Sequence, residues 1–367
     1  MSMKEYLSLV PGPCQVNQRV LDALSQQIVT HRNEGWSPYY RNVCKKVAKI
    51  FGTNGEVFLM ASSGTGAMEA AIGSTVSIGE KLLALSNGYF GDRFGMVADS
   101  YHLETEIINF PVDESIDPDI LEQRLQKGLG NIAAVGVVQC ESQTGILNPI
   151  KEIAQICNEH NVLLIVDAVS SLGGVELMMD EWGVDIVIGA TQKAFGGVVG
   201  ISMVAVNNKS WKYFENKKGT GYYFNLNYWR DCMHNSIIHP HPFSMSESLI
   251  FSVDAAADLI FEEGLENRWK RHWDLYDFYA RELGRLGFLM YMPRSYACPT
   301  VISMNKYQGI SIEDFAQRLK NEYRILIGVG IYQQHGKIFR IGNMAEQAKW
   351  EKAQKLVNAV SEILCTL

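Results

Sequence analysis

The sequence predicts an α/β fold, with a mainly parallel sheet wrapped by helices and a smaller α+β unit after it. Three observations carry this. Short apolar runs recur through the first part of the chain, with loops and helical patterns between them. Most of these runs are continuously apolar rather than alternating, as in strands covered on both faces. Near residue 245 the pattern changes to two long helical stretches, then to helices alternating with short strands.

The elements follow in order. "EVFLMAS" (56–62) reads as a strand and "TGAMEAAIGSTV" (65–76) as the helix after it. "KLLALS" (81–86), "TEIINF" (105–110), "NIAAVGVVQ" (131–139), "NVLLIVD" (161–167) and "VDIVIGA" (184–190) are further strands. "PIKEIAQICNEH" (149–160) has helical spacing and fills one of the gaps. Helices are expected at about 247–263 and 265–286, then strands at 299–305, 324–329 and 337–342, with helices around 312–322 and 345–364. A chain of 367 residues exceeds one ordinary core. We divide it into an N-terminal arm (1–15), a large domain (16–245) and a small C-terminal domain (246–367). The helix joining the two domains can belong to both.

Composition narrows the function. Hydrophobic residues make up 47% and charged residues 20%, the balance of a soluble globular protein. A net charge of -7 argues against a broad surface for nucleic acid or anionic membrane. No apolar run approaches the ~20 residues of a membrane span. The start, "MSMKEYLSLVPGP", lacks the long apolar centre of a signal peptide. Seven dispersed cysteines without a CxxC pair read as reduced thiols of a cytoplasmic protein. No metal site is expected.

Ligands of open α/β sheets bind outside the carboxyl ends of the strands. Four features sit at such ends, and each also has a plain structural explanation. In "ASSGTGAMEA" (61–70) a turn of small residues opens a helix. Ser63, Gly64, Thr65 and the free N–H groups there can hold an anion, or Ser63 can simply cap the helix. Asp167 ends "NVLLIVD", where a buried carboxylate is costly unless paired or used; it too can be a helix cap. Lys193 follows "VDIVIGA" and precedes Gly196, Gly197 and Gly200. An amine in a dry pocket becomes a nucleophile toward carbonyls, whereas an exposed loop lysine does nothing. Arg340 in "KIFRIGN" can hold a carboxylate by two parallel hydrogen bonds, or form a surface ion pair. Together the four match the needs of pyridoxal phosphate: an anion site, an acid for the ring nitrogen, a Schiff-base lysine and a carboxylate clamp.

The motifs "LVPGP" (9–13), "SSGTGAMEA" (62–70), "SNGYFGDRF" (86–94), "ESQTGILNP" (141–149), "VDAVSSLGG" (166–174), "TQKAFGG" (191–197), "EEGLENRWKRH" (262–272) and "FRIGN" (339–343) stand in an order that spans nearly the whole chain. In that order the chain resembles the class V aminotransferases of pyridoxal-phosphate fold type I. It is most similar to the alanine–glyoxylate, serine–pyruvate and 2-aminoethylphosphonate–pyruvate enzymes. The resemblance implies a seven-stranded large-domain sheet and transfer of an amino group from an alanine- or serine-type donor to glyoxylate or pyruvate. It implies that Lys193 forms the Schiff base and carries the proton, and that Asp167 binds the ring nitrogen. Phe90 and Val169 would cover the two ring faces, and Ser142 would contact the ring oxygen. Ser63, Gly64, Thr65 and Gln192 would bind phosphate, and Arg340 the substrate carboxylate. It further implies a homodimer in which "HPHPFSMSE" (239–247), through Ser244, completes the partner's phosphate pocket. His31 and Arg32 are expected near the site, without an assigned role. Two other readings stay open. One is a cysteine desulfurase or β-lyase of the same fold, although Gln192 stands where desulfurases carry His. The other is a non-catalytic binding protein on this scaffold.

Overall fold

The computed structural model describes residues 5–219, 221–236 and 239–367. In chain order its strands are β1 (Leu7–Leu9), β2 (Glu56–Ala61), β3 (Lys81–Ser86), β4 (Glu104–Asn109), β5 (Ile132–Val138), β6 (Cys140–Glu141), β7 (Ile146–Leu147), β8 (Leu163–Asp167), β9 (Ile186–Ala190), β10 (Ile201–Val206), β11 (Val301–Asn305), β12 (Ile325–Val329) and β13 (Ile338–Gly342). Seven form one sheet in the order β2-β10-β9-β8-β5-β3-β4. The neighbours from β9 to β4 pair in parallel, and β10 runs antiparallel to both β9 and β2. This is the mainly parallel sheet expected from the sequence.

Burial accounts for the residue patterns. Every residue of β8, β9 and β10 is buried, whereas β4, at the sheet edge, has only exposed and half-buried positions. The sequence reading does not separate β10, because "VVGISMVAV" runs apolar without a break from the glycine loop. Only its antiparallel pairing sets it apart. The helix Tyr89–Ser100 lies close against the sheet. A Cβ on Gly136 of β5 would come within 2.4 Å of Phe94 Cδ1. Any side chain at Gly136 would therefore push this helix away and displace Phe90 at its start.

A second core surrounds the sheet β1-β12-β13-β11. β1 pairs in parallel with β12, so the N-terminal segment is tied to the far end of the chain. Leu9, Tyr279, Phe288, Phe315, Phe339 and Ile341 fill this core. The helix Glu247–Glu263 instead buries Ile250, Val253, Ala257 and Ile260 in the first core, and the chain turns at Gly264 into Leu265–Arg285. The last helix begins at Trp350 and not at 345. Ala345–Gln347 form a 3-10 turn entered by Ala345 at φ 47°, outside the right-handed helical region.

Candidate active site

The carboxyl ends of β2, β3, β5, β8 and β9 share one edge of the large sheet. β8 ends there at Asp167, which is 6% exposed. Its Oδ1 accepts the Val169 N–H at 2.8 Å, and among the described residues none donates to Oδ2. The residues after it turn without forming a helix, so Asp167 does not cap one. Burial raises its pKa from 3.8 to about 6, with the Val169 N–H, Arg93 and Lys193 pulling the other way.

Past β9 the chain makes a wide turn over Thr191–Phe195, interrupted at Lys193 (φ -115°, ψ -137°). Lys193 Nζ donates to the carbonyl of Pro11. Gly12 crosses over the lysine at φ 84°, and a Cβ there would lie 2.4 Å from Lys193 Cδ. Only glycine fits both the conformation and the space. Burial, followed by the charge of Arg340, lowers the pKa of the Lys193 amine. Lys193 is thus held under the N-terminal segment and is not a free loop lysine.

The helix Gly64–Thr75 begins at the end of β2. Ser63 stands at its N-cap position but makes no capping hydrogen bond through its side chain. Among the described residues, the Ser63 hydroxyl and the N–H groups of Gly64 and Thr65 have no partner. Such a helix start is an anion site with its donors unused. Val169 packs directly on it: a Cβ on Gly64 would lie 2.7 Å from Val169 Cγ2. The Gln192 side-chain oxygen is buried without a partner.

Arg340, in β13, reaches this edge from the small sheet. It is 8% exposed. Its Nη1 donates to the Ser142 carbonyl at 2.6 Å and its Nη2 to the Val329 carbonyl at 2.8 Å. It is not the surface ion pair of the plain reading, since both partners are neutral and Nε is buried without any. Burial lowers its pKa to about 10, against the pull of Glu141. Phe90, Ser142, Lys193 and Arg340 wall a cavity of about 240 Å³, closed by Val10–Gly12, Gly328 and Ile331.

Two polar residues absent from the sequence reading belong to this surround. Glu141 is completely buried. Its Oε2 accepts the N–H groups of Phe90 (2.9 Å) and Gly91 (3.2 Å), and its Oε1 that of Gln143 (2.9 Å). It therefore anchors the start of the helix that carries Phe90. Burial raises its pKa to about 7. The available signal was a glutamate two residues past the apolar run 131–139. Arg93 is the second. It stands three residues past Phe90, on the same helix face. Of the expected residues, Ser63, Gly64, Thr65, Asp167, Val169 and Gln192 lie outside the walls of this cavity, and three more stand apart from it in their own chain. Ser244 is exposed. His31 lies with His239 and His241, ring centroids 4.9 and 6.0 Å away, and 3.5 Å from Glu247. Arg32 is exposed.

A family model, aminotransferase class-V, matches residues 9–331. The chain belongs to the class V aminotransferases. This aminotransferase is 33% identical over 339 residues to an uncharacterized aminotransferase of Methanocaldococcus jannaschii, covering 92% of this chain and 87% of the relative. It is 29% identical over 387 residues to the 2-aminoethylphosphonate–pyruvate transaminase of Bacteroides fragilis, covering 98% and 99%. Its structure is similar to the crystal structure of alanine–glyoxylate aminotransferase from Nostoc sp., with a TM-score of 0.92, 26% identity, and 99% and 96% of the two chains covered.

The enzyme is a pyridoxal-phosphate-dependent aminotransferase of fold type I, acting on amino acids and oxo acids. The residues at the sheet edge fit that cofactor. The unused donors at Ser63–Thr65 suit a phosphate, and the free Asp167 Oδ2 suits a protonated ring nitrogen. Among the described residues, no helix is long and apolar enough to cross a membrane and no cluster of side chains suits a metal ion.

Proposed function

We propose that this aminotransferase moves an amino group from a small amino acid, of the alanine or serine type, to glyoxylate or pyruvate. The observation that carries the reading is the cavity beside Lys193. Arg340 is the one guanidinium among its walls. Its remaining walls are Val10, Pro11, Gly12, Phe90, Ser142, Gly328 and Ile331, which offer no cation to a second acidic group. A donor with a short side chain and a single carboxylate suits those walls.

Bound pyridoxal phosphate supplies the electron sink and carries the amino group between the two half-reactions. The chain's own residues do the rest. Asp167, ionised, keeps a proton on the ring nitrogen. Lys193, with its lowered proton affinity, takes the proton from the substrate Cα and returns it at the carbon that receives it. Phe90 and Val169 would cover the two ring faces against water, and the Ser142 hydroxyl would contact the ring oxygen. Ser63, Gly64, Thr65 and Gln192 bind the phosphate. Arg340 orients the carboxylate of donor and acceptor in turn.

A second reading is 2-aminoethylphosphonate as donor. The Bacteroides fragilis relative, aligned over 98% of this chain, supports it, and a phosphonate can also sit on a single guanidinium. A cysteine desulfurase is less well supported. Cys298 is fully buried, with its Sγ 3.1 Å from Thr300 Oγ1, and is not on an accessible loop.

A panel of alanine, serine and 2-aminoethylphosphonate against glyoxylate and pyruvate tests these readings. The first is expected to show alanine or serine as the better donor; turnover of none of these pairs overturns it. Replacing Arg340 by Ala or Lys should lower kcat/KM at least ~10-fold for carboxylate substrates, the loss expected for one charge-assisted contact. Unimpaired variants would move the clamp elsewhere.

We also read the protein as a cytoplasmic homodimer. Seven unpaired cysteines fit a reducing compartment. Exposed Ile28 (63%) and Val29 (37%), near exposed Arg32 in sequence, fit a face covered by a second copy, to whose phosphate pocket Ser244 would contribute. The interface should exceed ~2,000 Å². Light scattering at micromolar protein is expected to give a dimer mass; an active monomer would refute it.

A further inference from the structure

Arg93 has no carboxylate partner among the described residues, yet it touches two residues of the cofactor site and acts on a third. Its Nη1 donates to Thr65 Oγ1 at 3.0 Å. Its guanidinium carbon lies 4.5 Å from the centroid of the Phe90 ring and 4.9 Å from that of Tyr89. Its charge also lowers the proton affinity of Asp167. The side chain is half-buried.

The phosphate site as read from the sequence lacks a formal charge. Ser63, Gly64, Thr65 and Gln192 supply hydroxyl, amide and backbone donors only. The helix start adds about half a positive charge, whereas a phosphate monoester carries about -1.5 to -2 at neutral pH. An anion of that size held by neutral donors in a partly buried site is poorly compensated. Arg93 is the guanidinium that contacts this group. Its bond to Thr65 has a further consequence. Because Thr65 Oγ1 accepts from Arg93, its own proton is free to be donated, and no acceptor among the described residues takes it.

Resting on the cofactor-site reading above, we propose that Arg93 is the cation of the phosphate cup. It supplies the charge against which the cofactor's phosphate binds, and it turns the Thr65 hydroxyl into a donor toward that phosphate. Arg93 thus recognises the phosphate and not the ring.

The test compares two ligands that differ only in the phosphate. Pyridoxamine 5′-phosphate and pyridoxamine have no aldehyde, so neither can bond to Lys193. Their affinities for the full-length apoprotein are measured by fluorescence titration for wild type, Arg93→Gln and Arg93→Lys. Arg93→Gln should weaken pyridoxamine 5′-phosphate roughly 10- to 100-fold while changing pyridoxamine less than about 2-fold. Arg93→Lys, which keeps a point charge but loses the fork, should retain part of the preference for the phosphorylated ligand. Equal weakening of both ligands would place Arg93 behind the Phe90 ring or Asp167 and overturn the proposal. An unchanged affinity for pyridoxamine 5′-phosphate would also overturn it, as would a loss with Lys as complete as with Gln. If Arg93→Gln does not fold, the Lys variant and Thr65→Val decide: neither should weaken pyridoxamine, and both should weaken its phosphate. A wild type that does not prefer the phosphorylated ligand would instead remove the cofactor-site reading itself.

Discussion

Lys193→Ala is expected to lower turnover by roughly 10⁴-fold or more, while the protein still binds pyridoxal phosphate noncovalently. The size follows from two losses at one atom. The amine that joins the cofactor is gone, and so is the base that moves the substrate proton. The surround shows why no other lysine can substitute. Nζ sits between the Pro11 carbonyl and the cavity, with Gly12 crossing over the side chain, and burial, followed by the charge of Arg340, keeps its proton affinity low. Borohydride reduction of the holoenzyme should leave a pyridoxyl group on Lys193. Finding it on another lysine would refute the assignment. The fold should tolerate the change, because the alanine removes a side chain that lines a cavity and not one that fills the core.

Asp167→Asn is expected to slow proton abstraction roughly 10²- to 10³-fold, since an amide cannot hold the ring nitrogen protonated. It should also stabilise the apoprotein. Burial raises the pKa of Asp167 from 3.8 to about 6. The folded state thus binds this proton more tightly than the unfolded chain does. The associated stability is fully present below about pH 3.8 and is lost as the pH rises through about 6. Above that pH the ionised carboxylate costs the empty site roughly 3 kcal/mol. The Asn variant carries no such charge, so apo unfolding curves at pH 8 should show it more stable than wild type. The advantage should shrink as the pH falls below about 6. Bound cofactor, which gives the carboxylate a cationic partner, should reverse the order. Near-wild-type rates in the variant would remove Asp167 from the chemistry. An apoprotein no more stable than wild type at pH 8 would contradict the electrostatic account.

These two residues were legible in the sequence for a local reason. Asp167 ends a strand whose apolar run is unbroken, Lys193 stands three residues past the end of another, and a polar residue there has few explanations. Ser63–Thr65 was legible in the same way, as a strand, a turn of small residues and a helix start. Glu141 was not, although it also follows a strand. Its role depends on Phe90 and Gly91, which lie about fifty positions earlier in the chain. Arg93 was hidden as one charge on an amphipathic helix until Thr65 and Phe90 were seen beside it.

The fold class, most strand positions and the family are legible along the chain, as are the residues we propose for the cofactor, because hydrophobic periodicity and strand-end motifs act over a few neighbouring positions. Only the tertiary structure decided what surrounds them. It brought Pro11 onto Lys193 and Arg340 onto Ser142, contacts between residues 182 and 198 positions apart. It set β10 antiparallel in the sheet and gave Arg93 its place beside Thr65. The physical reason is the same in each case. Proton affinities, cavity size and hydrogen-bond partners depend on burial and on distances across the fold, and no local pattern along the chain encodes them.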